Sequence, residues 1–234
     1  MDTVQIVITG FDSFSDIEEN PSKIIVTELQ SRLNNTASTS IFPINLAFSF
    51  KILKVSVNNC QYFHANLINA NENVSSKRFI FIHFGVDAKG KQIKLEQCAY
   101  NNMSFRIPDV EDYMPQNECI LSTNALESSI SSVLPLESLQ IKCNEYLKEM
   151  YHKHNKIADY QNKVALSTDP GRYLCNYIYY KALSFQKANK LSQESLFVHI
   201  PPFSEICKEE QLDILQYLLH QIIESFSMYD NISK

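Results

Sequence analysis

A chain of 234 residues that is 44% apolar and 20% charged can bury one substantial core, and its composition is neither disordered nor fibrous. A net charge of −5 with scattered Lys and Arg residues leaves no basic footprint, which excludes nucleic acid and anionic membranes as expected partners. The six cysteines are never closer than 21 residues apart, which excludes both CxxC spacing and a compact disulfide framework.

The opening MDTVQIVITG lacks the basic and apolar segments of a signal peptide, and no apolar run reaches the ~18 residues of a membrane span. The expectation is a cytoplasmic protein whose first strand is Val4–Thr9. Asn20 followed by Pro21 predicts a helix cap and first turn, with Ile25, Leu29 and Leu33 on one face. Short β-branched, apolar strands follow at Ser40–Leu46, Arg78–Phe84 and Gln92–Gln97. Asp109 to Ser132 has no clear period and is expected to be an irregular excursion or hairpin. A helix near Leu139–Tyr151 and a strand at Lys163–Thr168 come next. The turn signal Asp169-Pro170-Gly171 then opens a helix with Leu174, Ile178, Ala182 and Phe185 at steps of 4, 4 and 3. A strand at Ser195–Ile200 and a long helix with Leu215, Leu219 and Ile222 in register complete the chain.

Strands that read as apolar runs and alternate with helices indicate a sheet covered on both faces. The predicted fold is α/β, a single-domain α/β/α sandwich over residues 1–234 with a mostly parallel, mixed, twisted sheet.

Only four glycines occur, about 2% of the chain against ~7% in average proteins, so each position is informative. Gly10, Gly85 and Gly171 each follow a predicted strand and mark the carboxyl rim where ligand sites form in open sheets. Cys175 opens the helix after Lys163–Thr168, and His199 ends the strand Ser195–Ile200. A right-handed crossover between parallel strands would bring the two together although they are 24 residues apart. A thiol nucleophile and its base require that proximity, and a helix N-terminus favours a thiolate. Taken alone, Cys175 reads first as a buried core cysteine, and it is His199 on the same rim that brings the catalytic reading level with that one. His83 reads as a core or rim residue, and His152 and His154 point to different helix faces, so no metal site is predicted.

Five segments resemble, in order, the pyroglutamyl peptidase I family of cysteine peptidases, also called pyrrolidone-carboxylate peptidases. They are TGFDSF with ENPS, HFGVDAKGKQIKLEQCAYN, FRIPD, DPGRYLCNYIYY and FVHIPPF, spanning about residues 4 to 205. The resemblance implies a Cys175, His199 and Glu96 triad acting through a thioester on N-terminally pyroglutamylated peptides, with no metal or organic cofactor. Glu96 enters only through the resemblance. It also implies substrate-binding roles for Phe11, Phe14, Asn20, Arg106, Tyr173 and Leu174, and is compatible with a homo-oligomer. From the residues themselves, Phe11 and Phe14 could equally staple the core under the first loop, and Arg106 could pair with Asp109. Val86 stands where many bacterial members carry a glutamine that helps to bind the lactam, the first loop lacks a glycine pair, and the segment after Asp109 matches poorly. Two rivals stay open: a non-catalytic peptide-binding homologue, and a cysteine hydrolase of the same fold acting on another lactam or acyl group. A nucleotide-binding protein is disfavoured, since neither G-x-G-x-x-G nor a P-loop occurs.

Overall fold

The elements of the computed structural model, which describes residues 3–15, 17–36, 45–69, 78–189 and 193–232, alternate as the composition suggests. In chain order they are β1 (Thr3–Phe11), α1 (Pro21–Thr36), β2 (Asn45–Leu53), α2 (Val57–Asn69), β3 (Arg78–Val86), β4 (Ile93–Glu96) and β5 (Cys98–Tyr100). There follow β6 (Ser129–Ser131), α3 (Leu136–Lys153), β7 (Val164–Ser167), α4 (Leu174–Asn189), β8 (Gln193–Ile200) and α5 (Lys208–Ile232). Six strands form one sheet in the order β2-β1-β3-β8-β4-β7, and β5 pairs antiparallel with β6 apart from it.

Helix starts follow local chemistry. Asn20 Oδ1 accepts the Ser22 N–H at 3.0 Å, which caps α1 behind Pro21. Ser56 Oγ accepts the Asn59 N–H at 3.1 Å at the head of α2, where Asp109 Oδ2 also takes the Val57 N–H. The sheet is buried on both faces, so alternate side chains of one strand enter different cores. Leu196, Val198 and Ile200 of β8 join Ile25, Leu139 and Leu215 from α1, α3 and α5. Phe197 points the other way, to Cys60 of α2 and Tyr179 of α4. The expected three-layer sandwich with a mostly parallel, mixed sheet is therefore what forms.

Two expectations need correction, and one helix was not expected. The strand expected at Ser40–Leu46 is found at Asn45–Leu53, residues 40–44 lying outside the described ones. As an edge strand it alternates Leu46, Phe48 and Phe50 toward the core rather than forming an apolar run. Helix α2 had no counterpart among the predicted elements; Val57 and Cys60 are buried in the same core as α4. Most consequentially, β7, α4 and β8 do not form a parallel crossover unit. β4 stands between β7 and β8, antiparallel to β8 and parallel to β7, so β7 runs against β8. The handedness rule applies only to parallel strands, and the reversal at β4 removes its premise.

Candidate active site

Cys175 occupies the first turn of α4, over the carboxyl end of β3. A methyl group added at Gly85 would lie 3.0 Å from Cys175 Sγ and 2.6 Å from the Phe197 ring, so only glycine leaves room for the thiol. Asn176, fully buried, locks the helix start from the other side. Its Oδ1 accepts the Tyr100 N–H at 2.8 Å, and its Nδ2 donates to the carbonyls of Tyr100 and Asn102 at 2.8 and 2.9 Å. Tyr177 makes the first intrahelical bond, to the Tyr173 carbonyl, which leaves the N–H groups of Leu174, Cys175 and Asn176 for other acceptors.

His199 lies beside Gly85 in the parallel register of β3 and β8, and it borders the same cavity as Cys175. Its Nδ1 is 2.8 Å from Oε1 of Glu96, a carboxylate with no solvent exposure. The backbone at Glu96 is pinned in turn by the Tyr179 hydroxyl, which donates to its carbonyl at 2.8 Å. Burial alone would push the imidazole pKa down. The negative charge of Cys175 and the hydrogen bonds and charge supplied by Cys175 and Glu96 outweigh it and raise the pKa to about 10. The arrangement can therefore hold a thiolate against an imidazolium, oriented by a buried carboxylate.

A cavity of about 190 Å³ opens in front of the thiol. Its walls are mostly apolar: Phe11 from the end of β1, Phe14 from the loop after it, Val55, Val86, Tyr173 and Leu174. Phe14 and Tyr173 stack with centroids 6.2 Å apart, and Phe105 meets Tyr173 edge-on at 4.5 Å. The Tyr173 hydroxyl is occupied, donating to the Pro108 carbonyl at 3.1 Å.

Of the residues singled out in the sequence, Cys175, His199, Phe11, Phe14, Asn20, Tyr173 and Leu174 all border this cavity, with Glu96 directly behind His199. Asn20 reaches it with both ends of its amide engaged, Nδ2 on the Asp12 carbonyl and Oδ1 on Ser22, so it shapes the first loop. Arg106 is not brought to the cavity: it is exposed and absent from the lining. Nor does it pair with Asp109, whose carboxylate accepts the N–H groups of Val57, Glu111 and Tyr113. Three contributors escaped the sequence reading: Asn176, Tyr179 and Val55. Asn176 and Tyr179 lie off the apolar stripe of Leu174, Ile178 and Ala182, so nothing in the sequence marks their burial or their partners.

Comparison with known proteins bears on the family and the fold. The family model described as pyroglutamyl peptidase matches residues 4–226. A pyrrolidone-carboxylate peptidase of Brachyspira hyodysenteriae is 29% identical over 202 residues, covering 86% of this chain and 85% of that protein. Human pyroglutamyl-peptidase 1 is 25% identical over 207 residues, covering 88% and 83%. The solved structure of pyrrolidone carboxyl peptidase from Thermococcus litoralis superposes with a TM-score of 0.75 at 20% identity, covering 97% of this chain and 96% of that one, a likeness of fold.

Proposed function

The chain belongs to the pyroglutamyl peptidase family, cysteine peptidases that remove an N-terminal pyroglutamyl residue, and from that premise we propose that Cys175 is its nucleophile, His199 its acid–base and Glu96 the group that orients the base. The observation that carries this reading is the convergence of the Cys175 thiol and the His199 imidazole on one apolar cavity, with the buried Glu96 carboxylate bonded to the imidazole from behind.

The Cys175 thiolate attacks the carbonyl carbon of the pyroglutamyl residue, and the oxyanion takes hydrogen bonds from the free N–H groups of the first turn of α4. His199 gives its proton to the departing amine, which leaves a thioester. Water then gives a proton to His199 and attacks the thioester, releasing pyroglutamate and the thiolate. A pyroglutamyl terminus is a neutral lactam with no ammonium group, so an apolar cavity flanked by Phe11, Phe14 and Tyr173 suits it. The substrate is an N-terminally pyroglutamylated peptide. No helix among the described residues is long and apolar enough to cross a membrane, and we take the setting to be cytoplasmic.

Val86 on the cavity wall favours one second reading, a hydrolase for a related lactam or acyl group that needs no side-chain amide at that point. Purified protein in reductant should hydrolyse a fluorogenic pyroglutamyl amide but not a prolyl or alanyl amide, and Cys175→Ser should abolish the reaction. An inert wild type that still binds a pyroglutamyl aldehyde would point to a non-catalytic homologue. Failure of both would remove the substrate assignment.

A further inference from the structure

The strand that carries His199 is crossed at its end by an ion pair that belongs to neither the triad nor the cavity wall. His199 is flanked by Gly85 on β3 and by Lys94 on β4, its direct partner in the antiparallel register, so Lys94 projects from the face of the sheet that carries His199. Asp87 lies two residues beyond Gly85, with its N–H still bonded to the Ile200 carbonyl at 2.9 Å. Lys94 Nζ reaches Asp87 Oδ2 at 2.7 Å, so the pair spans from β4 to the end of β3 over the end of β8.

The carboxylate is held in place rather than free. Its other oxygen accepts the Lys89 N–H at 3.2 Å, and a methyl group at Gly90 would sit 2.8 Å from the Asp87 carboxyl. Burial would raise the Asp87 pKa, but hydrogen bonding and charge from Lys94, with a further contribution from His199, lower it, so the carboxylate is ionised at neutral pH.

We propose that Asp87 and Lys94 are a balanced pair of positioning residues for the catalytic base, with Lys94 holding the end of β8 and Asp87 cancelling the cation that Lys94 would otherwise set beside the His199 imidazolium. The titratable and charged groups around that imidazole are Cys175 from α4, Glu96 and Lys94 from β4, and Asp87 from the end of β3. Of these, only Asp87 and Lys94 have no part in the chemistry, so they can be changed without removing it. The inference rests on Cys175 and His199 forming the reactive pair.

Two readouts separate its failure from failure of the substrate assignment: the pH profile of kcat/KM on a pyroglutamyl amide, and the pH midpoint of Cys175 alkylation by iodoacetamide, which needs no substrate. Loss of the negative charge in Asp87→Asn lowers the pKa of every nearby group, and both profiles should move down by about half a pH unit. Lys94→Gln should move them up by a similar amount, and the double variant should return close to the wild type. Unchanged midpoints in both single variants, or shifts of the same sign, would overturn the proposal, because a purely structural strap moves no titration or moves both alike. Opposite shifts in alkylation with no turnover of the amide would support the pair and defeat the substrate assignment.

Discussion

Gly85 has no functional group, yet the thiol depends on the space it leaves. Gly85→Ala should displace either Cys175 Sγ or the Phe197 ring, and since a misplacement of about 1 Å can cost ~10²-fold, kcat/KM should fall by about that factor. Retention of full activity would mean the helix start gives way more easily than its contacts imply. Glu96→Gln keeps the shape of the side chain but removes the charge that supports the imidazolium, and turnover should drop by about 10²- to 10⁴-fold with KM little changed. The raised pKa of His199 sets the alkaline limit. Its folded value of about 10 exceeds its ordinary 6.5, so the imidazolium and the interactions that favour it persist through neutral pH and are lost as pH rises through about 10. Activity should follow that loss. A fall centred near pH 7 would instead mean that a neutral imidazole is the resting form.

Elements carry the next level of dependence, and the start of α4 is the clearest case. Asn176 joins it to β5 and the loop behind by three hydrogen bonds, so Asn176→Ala strands buried backbone groups and should cost about 2–4 kcal/mol of stability. Activity should fall through kcat more than KM, since the N–H groups of the helix start lose their aim. Strand β8 contains a different liability. Burial pushes the Glu194 carboxyl up to about 7 from its ordinary 4.5 despite the nearby charge of Arg78. The ionised form is less favourable in the folded state, so stability is lost as pH rises from about 4.5 through 7. Glu194→Gln should therefore stabilise the protein at pH 8, by about 1–2 kcal/mol in chemical denaturation, and change nothing at pH 4.

At the scale of the whole molecule, the excursion between β5 and β6 is stitched to α4 by Arg172, which bonds Glu127 at 2.9 Å and lies 4.0 Å over the Tyr100 ring. We expect one unfolding transition, coincident with loss of activity, and a rise in Tm when a pyroglutamyl aldehyde is present in excess. Two transitions would mean that the excursion unfolds by itself. The layers of the fold were legible from the alternation of strands and helices, because a sheet buried on both faces leaves apolar runs. The meeting of Cys175 and His199 was legible only by its outcome. It had been deduced from a parallel crossover, whereas IKLE of β4 carries the same apolar pattern whichever way it runs, so the reversal that places Glu96 behind His199 is invisible in sequence. The partners of Asn176 were hidden for a related reason: a polar residue off the Leu174, Ile178 and Ala182 stripe carries no mark of burial, and its bonds to Tyr100 and Asn102 depend on tertiary contacts. The seam where the sheet changes direction joins β8 to β4 through only two register pairs, Lys94 with His199 and Leu95 with Val198. A slip of a single residue there would turn Glu96 to the opposite face while leaving helices and strands in place. Active-site titration of a refolded sample would therefore count the molecules whose seam closed in register, a population that circular dichroism cannot tell from its misaligned twin.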